Sequence, residues 1–152
     1  MTKKSKAPLH SAERALPKRL REDLAEVDDL VEENDLSAAR QLLYELDHQY
    51  PNRLEVVSYL AEVAYDLNDM EGYQYGCEQW LRLEPDNDEV TIGLAGAYLR
   101  NVRPCLALRA FREFLKKWPN HPRAPDARQT AADLEETLPA MLARASMRRR
   151  GV

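Results

Sequence analysis

At 152 residues and a formal net charge of −4, the chain suits one domain with a strongly charged surface. Only five glycines, set among many Ala, Leu, Glu and Arg, point to an all-α protein, and no apolar run approaches the length of a membrane span. The opening MTKKSKAPLHSAER has lysines but no apolar segment behind them, so it is not expected to be a secretory signal, and a cytoplasmic setting is expected.

Residues 1–17 lack periodicity and read as a basic flexible arm, helical only near Ser11–Leu16. Pro17 suits the first turn of a helix, where a missing N–H costs nothing. From there the chain repeats. Pro17, Pro51, Pro85 and Pro119 are spaced 34 residues apart, and Asn34-Asp35 stands 34 before Asn68-Asp69. A fixed period of that size marks an array of helical units, because each unit buries its apolar faces only against its neighbours.

The first repeat spans 20–53. Leu20, Leu24, Val27, Leu30 and Val31 recur at helical spacing and predict a helix over 18–33. Asn34-Asp35 ends it and caps a second helix over 36–49, which buries Leu36, Ala39, Leu43 and Leu46. Tyr50-Pro51-Asn52 stops that helix, since the residue before proline is pushed out of the α region. The second repeat, 54–87, turns Val57, Leu60, Ala61 and Ala64 inward from its first helix, and Met70, Tyr73, Cys77 and Trp80 from its second. The third, 88–121, offers Thr91, Leu94, Ala95 and Tyr98, then Ala107, Phe111 and Phe114, around the turn Asn101-Val102-Arg103-Pro104. A sparser helix over 122–138, with Ala124, Ala127, Ala131, Leu134 and Leu138, reads as the cap that closes an open array. Pro139 is expected to interrupt it and to begin a basic tail, 139–152, in which Met141, Leu142 and Met147 form a short amphipathic turn.

These units resemble tetratricopeptide repeats. A small position recurs in the first helix (Val27, Ala61, Ala95), followed three residues later by Leu30, Ala64 and Tyr98. The second helix shows Ala39, Tyr73 and Ala107, then Leu43, Cys77 and Phe111, then Leu46, Trp80 and Phe114, then proline. Val27, Tyr73 and Cys77 depart from the usual residues. The resemblance covers 18–138 and implies a right-handed α-solenoid of three helix-turn-helix repeats plus a capping helix. It also implies a concave face that binds peptides or helices of other proteins. In size and charge the array looks like three-repeat bacterial secretion chaperones.

Charge is segregated along the array. Residues 20–87 hold four bases and eighteen acids, whereas 139–152 hold four arginines and no acid. Such segregation bears on partners and encounter rates, not on fold. The 34-residue register places Leu24, Asp28, Val31, Ser58, Glu62, Tyr65, Ile92, Gly96 and Leu99 on the groove side of the first helices. Asp66, Glu89 and Arg100 stand at its margins. Apolar anchors ringed by carboxylates suit a basic or amphipathic protein segment, with a merely solvated acidic face as the other reading. Leu24, Asp28 and Glu89 stand where related repeats grip a partner's terminal carboxylate, and would repel or ignore one. Gly93 and Gly96, three apart in a helix, either open a pocket or admit a tightly packed neighbour.

Arg109, Arg112 and Lys116 form a basic stripe that offers phosphate contacts. Nucleic-acid association is therefore the alternative class, although no base-stacking aromatics or recognition motif accompany the stripe. Homo-oligomerisation through the array ends is a third reading. One basic tail is also expected to visit the acidic repeats, in its own chain or a neighbour's. Cys77 and Cys105 are isolated and expected in the core. No catalytic motif, cofactor loop or metal-ligand spacing is found, and His10, His48 and His121 lie far apart, so the chain is read as a binding protein and not an enzyme.

Overall fold

The computed structural model describes residues 16–151. The arm expected at 1–17, with its short helix near Ser11, lies almost wholly outside them. The described residues form seven helices and no strand: α1 (Lys18–Glu32), α2 (Leu36–Gln49), α3 (Leu54–Asp66), α4 (Met70–Leu83), α5 (Asp88–Arg100), α6 (Pro104–Lys117) and α7 (Ala124–Arg149). Each helix packs chiefly on the ones before and after it. The result is an α-solenoid of helical hairpins, α1–α2, α3–α4 and α5–α6, with α7 laid over the last. No helix among the described residues is long and apolar enough to cross a membrane.

The turn inside each hairpin is built the same way. Asn34, Asn68 and Val102 adopt left-handed φ values of 60°, 56° and 56°. The next amide, of Asp35, Asp69 or Arg103, then donates to the carbonyl of Leu30, Ala64 or Tyr98, each at 2.8 Å. That bond satisfies a carbonyl which the helix end would otherwise leave orphaned. Asp35 and Asp69 go on to cap α2 and α4, accepting from the amides of Ala38 and Gly72 at 3.1 and 3.0 Å. Arg103 makes no such bond, and Pro104 at the start of α6 has no amide to satisfy. Successive repeats are tied by polar contacts onto these turns and onto the junction at Asn52 between the first two repeats. Arg40 reaches Asp69 at 3.0 Å, Arg82 reaches Asn52 at 2.6 Å, and Arg100 reaches Asn68 at 2.8 Å.

Helix α3 is buried almost all round, through Val56, Val57, Leu60, Ala61, Val63 and Ala64. Two of these, Val56 and Val63, fall outside the expected stripe because α3 is covered by helices on both sides. Against it, α4 buries Gly72, Gln74, Gly76 and Cys77, while Met70, Tyr73 and Trp80 are only half-buried. At Gly76 the helices approach so closely that a Cβ would lie 2.9 Å from the Ala61 backbone. Gln74 is a buried polar residue whose groups are all matched: it donates to Glu78 at 2.8 Å and accepts from Asn101 at 2.9 Å.

Two expectations are corrected. Cys105 is exposed, not core. It occupies the register position of Ser37 and Glu71, both also exposed, one step outside the buried stripe of α6. The capping helix does not stop at Pro139 but runs unbroken to Arg149. Beyond Leu138 every described residue of α7 is exposed. The carbonyl that Pro139 deprives of a partner is that of Glu135, itself an exposed residue, so water is at hand to offset part of the usual penalty.

Candidate functional site

Helices α3, α4 and α5 enclose an open cavity of about 620 Å³. Glu62, Tyr65 and Asp66 share one face of α3, because residues three and four apart lie together on a helix. By the same rule Glu89, Gly93, Gly96 and Arg100 line α5. Tyr73, Cys77 and Trp80 of α4 form the floor, and Arg123, just before α7, reaches the rim.

The two glycines play different parts. A Cβ at Gly93 would collide with the hydroxyl of Tyr73, so this glycine admits a packed neighbour. A Cβ at Gly96 would have no atom within 4 Å, so this glycine faces open space. Tyr65 stands edge-on to Tyr73, ring centroids 5.1 Å apart, and remains 56% exposed. The Cys77 thiol is pushed up to about 12 by burial, which makes it an inert core group. Burial, and then the neighbouring Asp66, raise the Glu62 carboxyl above its usual range.

Of the expected groove residues, Glu62, Tyr65, Asp66, Ile92 and Gly96 border this cavity. Ile92 is 4% exposed and belongs to the core beneath the surface. Leu24 and Val31 pack onto the core of the first repeat, and Leu99 onto that of the third. Asp28 accepts a hydrogen bond from the Tyr59 hydroxyl at 2.6 Å, and Ser58 is half-buried. None of these five borders the cavity. Arg123 was missed, although it stands 34 residues after Glu89, a signal the register already held.

The basic stripe is partly neutralised within the fold. Arg109, Arg112 and Lys116 surround a shallow depression together with Glu113 and Lys117. Arg112 is bonded to Glu135 at 2.6 Å, and Lys117 lies 3.5 Å from Glu113 and 3.6 Å from Asp86. On another face of α5, a separate cleft of about 270 Å³ lies between Leu81, Leu94, Tyr98 and Leu106.

One cluster of metal-ligating groups occurs among the described residues: Asp88, Glu89 and His121. Its hydrogen bonds oppose a metal. The His121 Nδ1 accepts from the Arg123 amide at 3.1 Å, which leaves the proton of a neutral ring on Nε2. That nitrogen faces Glu89 at 3.2 Å and Asp88 at 3.4 Å, and a metal on it would shift the ring proton to Nδ1, against the Arg123 amide. The trio reads as a clasp that joins the α6–α7 junction to the start of α5.

No family model and no curated protein matches this chain. Its fold is similar to that of a solved structure titled MamA MSR-1 C2, a protein containing tetratricopeptide repeats. The TM-score is 0.55 at 18% identity, over 81% of this chain and 73% of that one. At such identity the likeness concerns the fold alone, and the array of helical hairpins fits a tetratricopeptide-like solenoid.

Proposed function

We propose that this chain is a non-catalytic scaffold that holds a basic, amphipathic segment of another protein in the cavity between α3 and α5. The observation that carries this reading is the open space at Gly96 beside an exposed Tyr65 and the carboxylates of Glu62 and Asp66. An aromatic side chain with room in front of it is a natural anchor, and flanking acids select a basic partner and speed its approach. Residues 18–138 are the working unit in this reading. A cytoplasmic chaperone that shields such a segment before assembly is one form it takes. Nucleic-acid binding through Arg109, Arg112 and Lys116 is disfavoured, because Glu113 and Glu135 sit within the same patch.

The test is selection of displayed random peptides on the purified protein. Segments with Lys or Arg around an apolar or aromatic residue are expected to be enriched. Affinity should fall at least tenfold with Glu62→Lys and Tyr65→Ala, and with Gly96→Trp, which fills the cavity. Enrichment of acidic segments, or full binding by Gly96→Trp, overturns the reading.

A further inference from the structure

The end of α7 projects without a partner among the described residues. By register, the first helices of the repeats end at Asp66 and Arg100, and the equivalent slot in α7 ends at Leu134, the last buried residue. The stripe Ala127, Ala131, Leu134 and Leu138 that packs on α6 continues at Met141, Leu142 and Ala145, where no described residue covers it. Met141 is 40% exposed and Leu142 58%. From Pro139 to Arg149 this extension measures about 16 Å at a rise of 1.5 Å per residue. It carries Arg144, Arg148 and Arg149 and no acid. The projecting end thus has the chemistry that the groove was argued to select.

The groove has a matching acidic strip. Glu62 and Asp66, one turn apart on α3, line its cavity, and Asp28 of α1 reaches α3 by accepting from the Tyr59 hydroxyl at 2.6 Å. None of these three carboxylates forms an ion pair with a described residue. Because α7 is one continuous helix fixed to α6, its straight extension leads past the edge of the array. To reach its own groove it would have to break.

Taking the groove as a binding site, as above, we propose that its occupant is the projecting end of α7 from a second copy of this chain. The arginines lie against the acidic strip, and Met141 and Leu142 enter the cavity beside Tyr65. Donor and acceptor are different surfaces, so the contact is heterologous. Every copy offers one of each, and association propagates head to tail instead of stopping at a two-fold dimer. A foreign basic segment would compete with the α7 end for the same groove.

Sedimentation velocity across a wide range of concentration tests this at low and high salt. The full chain should form species larger than a dimer at low salt and dissociate at high salt, where the charges are screened. Deletion of 139–152, which removes only exposed residues among those described, should leave a monomer. So should Glu62→Lys with Asp66→Lys. Leu142→Asp repeats the first loss without shortening the chain. Mixing the deleted form, which keeps only the groove, with the doubly substituted form, which keeps only the projecting end, should restore a one-to-one pair and nothing larger.

A full chain that stays monomeric throughout overturns the proposal. So does association that survives either change, or a projecting end that binds anionic vesicles or nucleic acid in place of the groove variant. Peptide selection on the deleted form reads the groove independently. Enrichment there alongside a monomeric full chain would sink the self-association alone. Self-association without enrichment of foreign segments would instead sink the adaptor reading.

Discussion

The second and third repeats follow one plan and spend their irregular residues in opposite places. The second puts its glycines in its second helix, where Gly72 and Gly76 are buried against side chains and backbone. The third puts them in its first helix, where Gly93 receives Tyr73 and Gly96 receives nothing. The turns differ in the same sense. Asn68-Asp69 is suited to a left-handed residue followed by a cap, whereas Val102-Arg103 supplies neither, yet the backbone path and the 2.8 Å closing bond are alike. The array therefore imposes the turn, and residue choice only tunes its cost. The space that the third repeat leaves at Gly96 is where the proposed partner segment would enter.

The comparison can be broken most directly at Gly76. Gly76→Ala gains helix propensity but drives a Cβ into the Ala61 backbone, and should lose roughly 2 kcal/mol in urea unfolding. A gain would show that the two helices are not held at that separation. At the turn, Val102→Asn removes the strain of a β-branched residue in the left-handed region and should gain about 1 kcal/mol. An unchanged midpoint would mean that the third turn costs no more than its counterparts.

The glycine pair in α5 sharpens the contrast. Gly96→Ala should gain just under about 1 kcal/mol, the propensity difference alone. Gly93→Ala should be close to neutral, because displacing the Tyr73 hydroxyl offsets the same gain. Adding Tyr73→Phe should then restore the stabilisation, and equal effects at both positions would erase the distinction drawn between them.

The smallest effect concerns Glu62. Its carboxyl is raised by burial and by Asp66, so the protonated form is favoured in the folded state. That contribution is present below the ordinary value of 4.5 and is lost as pH rises through the raised one. At neutral pH the ionised group is a slight cost, and Glu62→Gln should stabilise by no more than about 0.5 kcal/mol. Thermal melts against pH check the sign: the gain should vanish in acid. The same change should weaken a basic ligand at neutral pH.

Half of the groove was legible in the sequence and half was not. The register put Glu62, Tyr65 and Asp66 on one face, the one that borders the cavity, because helical spacing alone decides which residues share a face. It also put Leu24, Val31 and Leu99 there, since spacing does not reveal which apolar residues a neighbouring helix covers. Tyr73 and Trp80 were read as core, and they do pack on it, but each also borders the cavity and stays half-buried. Cys105 and Pro139 misled for a related reason. Residue type suggests burial or a break, whereas packing decides whether a thiol meets solvent or whether a missing amide matters.

The sequence by itself determined the architecture. A proline every 34 residues, an Asn-Asp turn and two apolar stripes per unit admit only short helices that stack on one another, and local rules are enough for that. Only the tertiary structure decided where the array is full and where it is open. That depends on distances between helices distant in sequence: the approach of Gly76 to Ala61, the seat of Tyr73 over Gly93, the space before Gly96 and the end of α7 beyond its last partner.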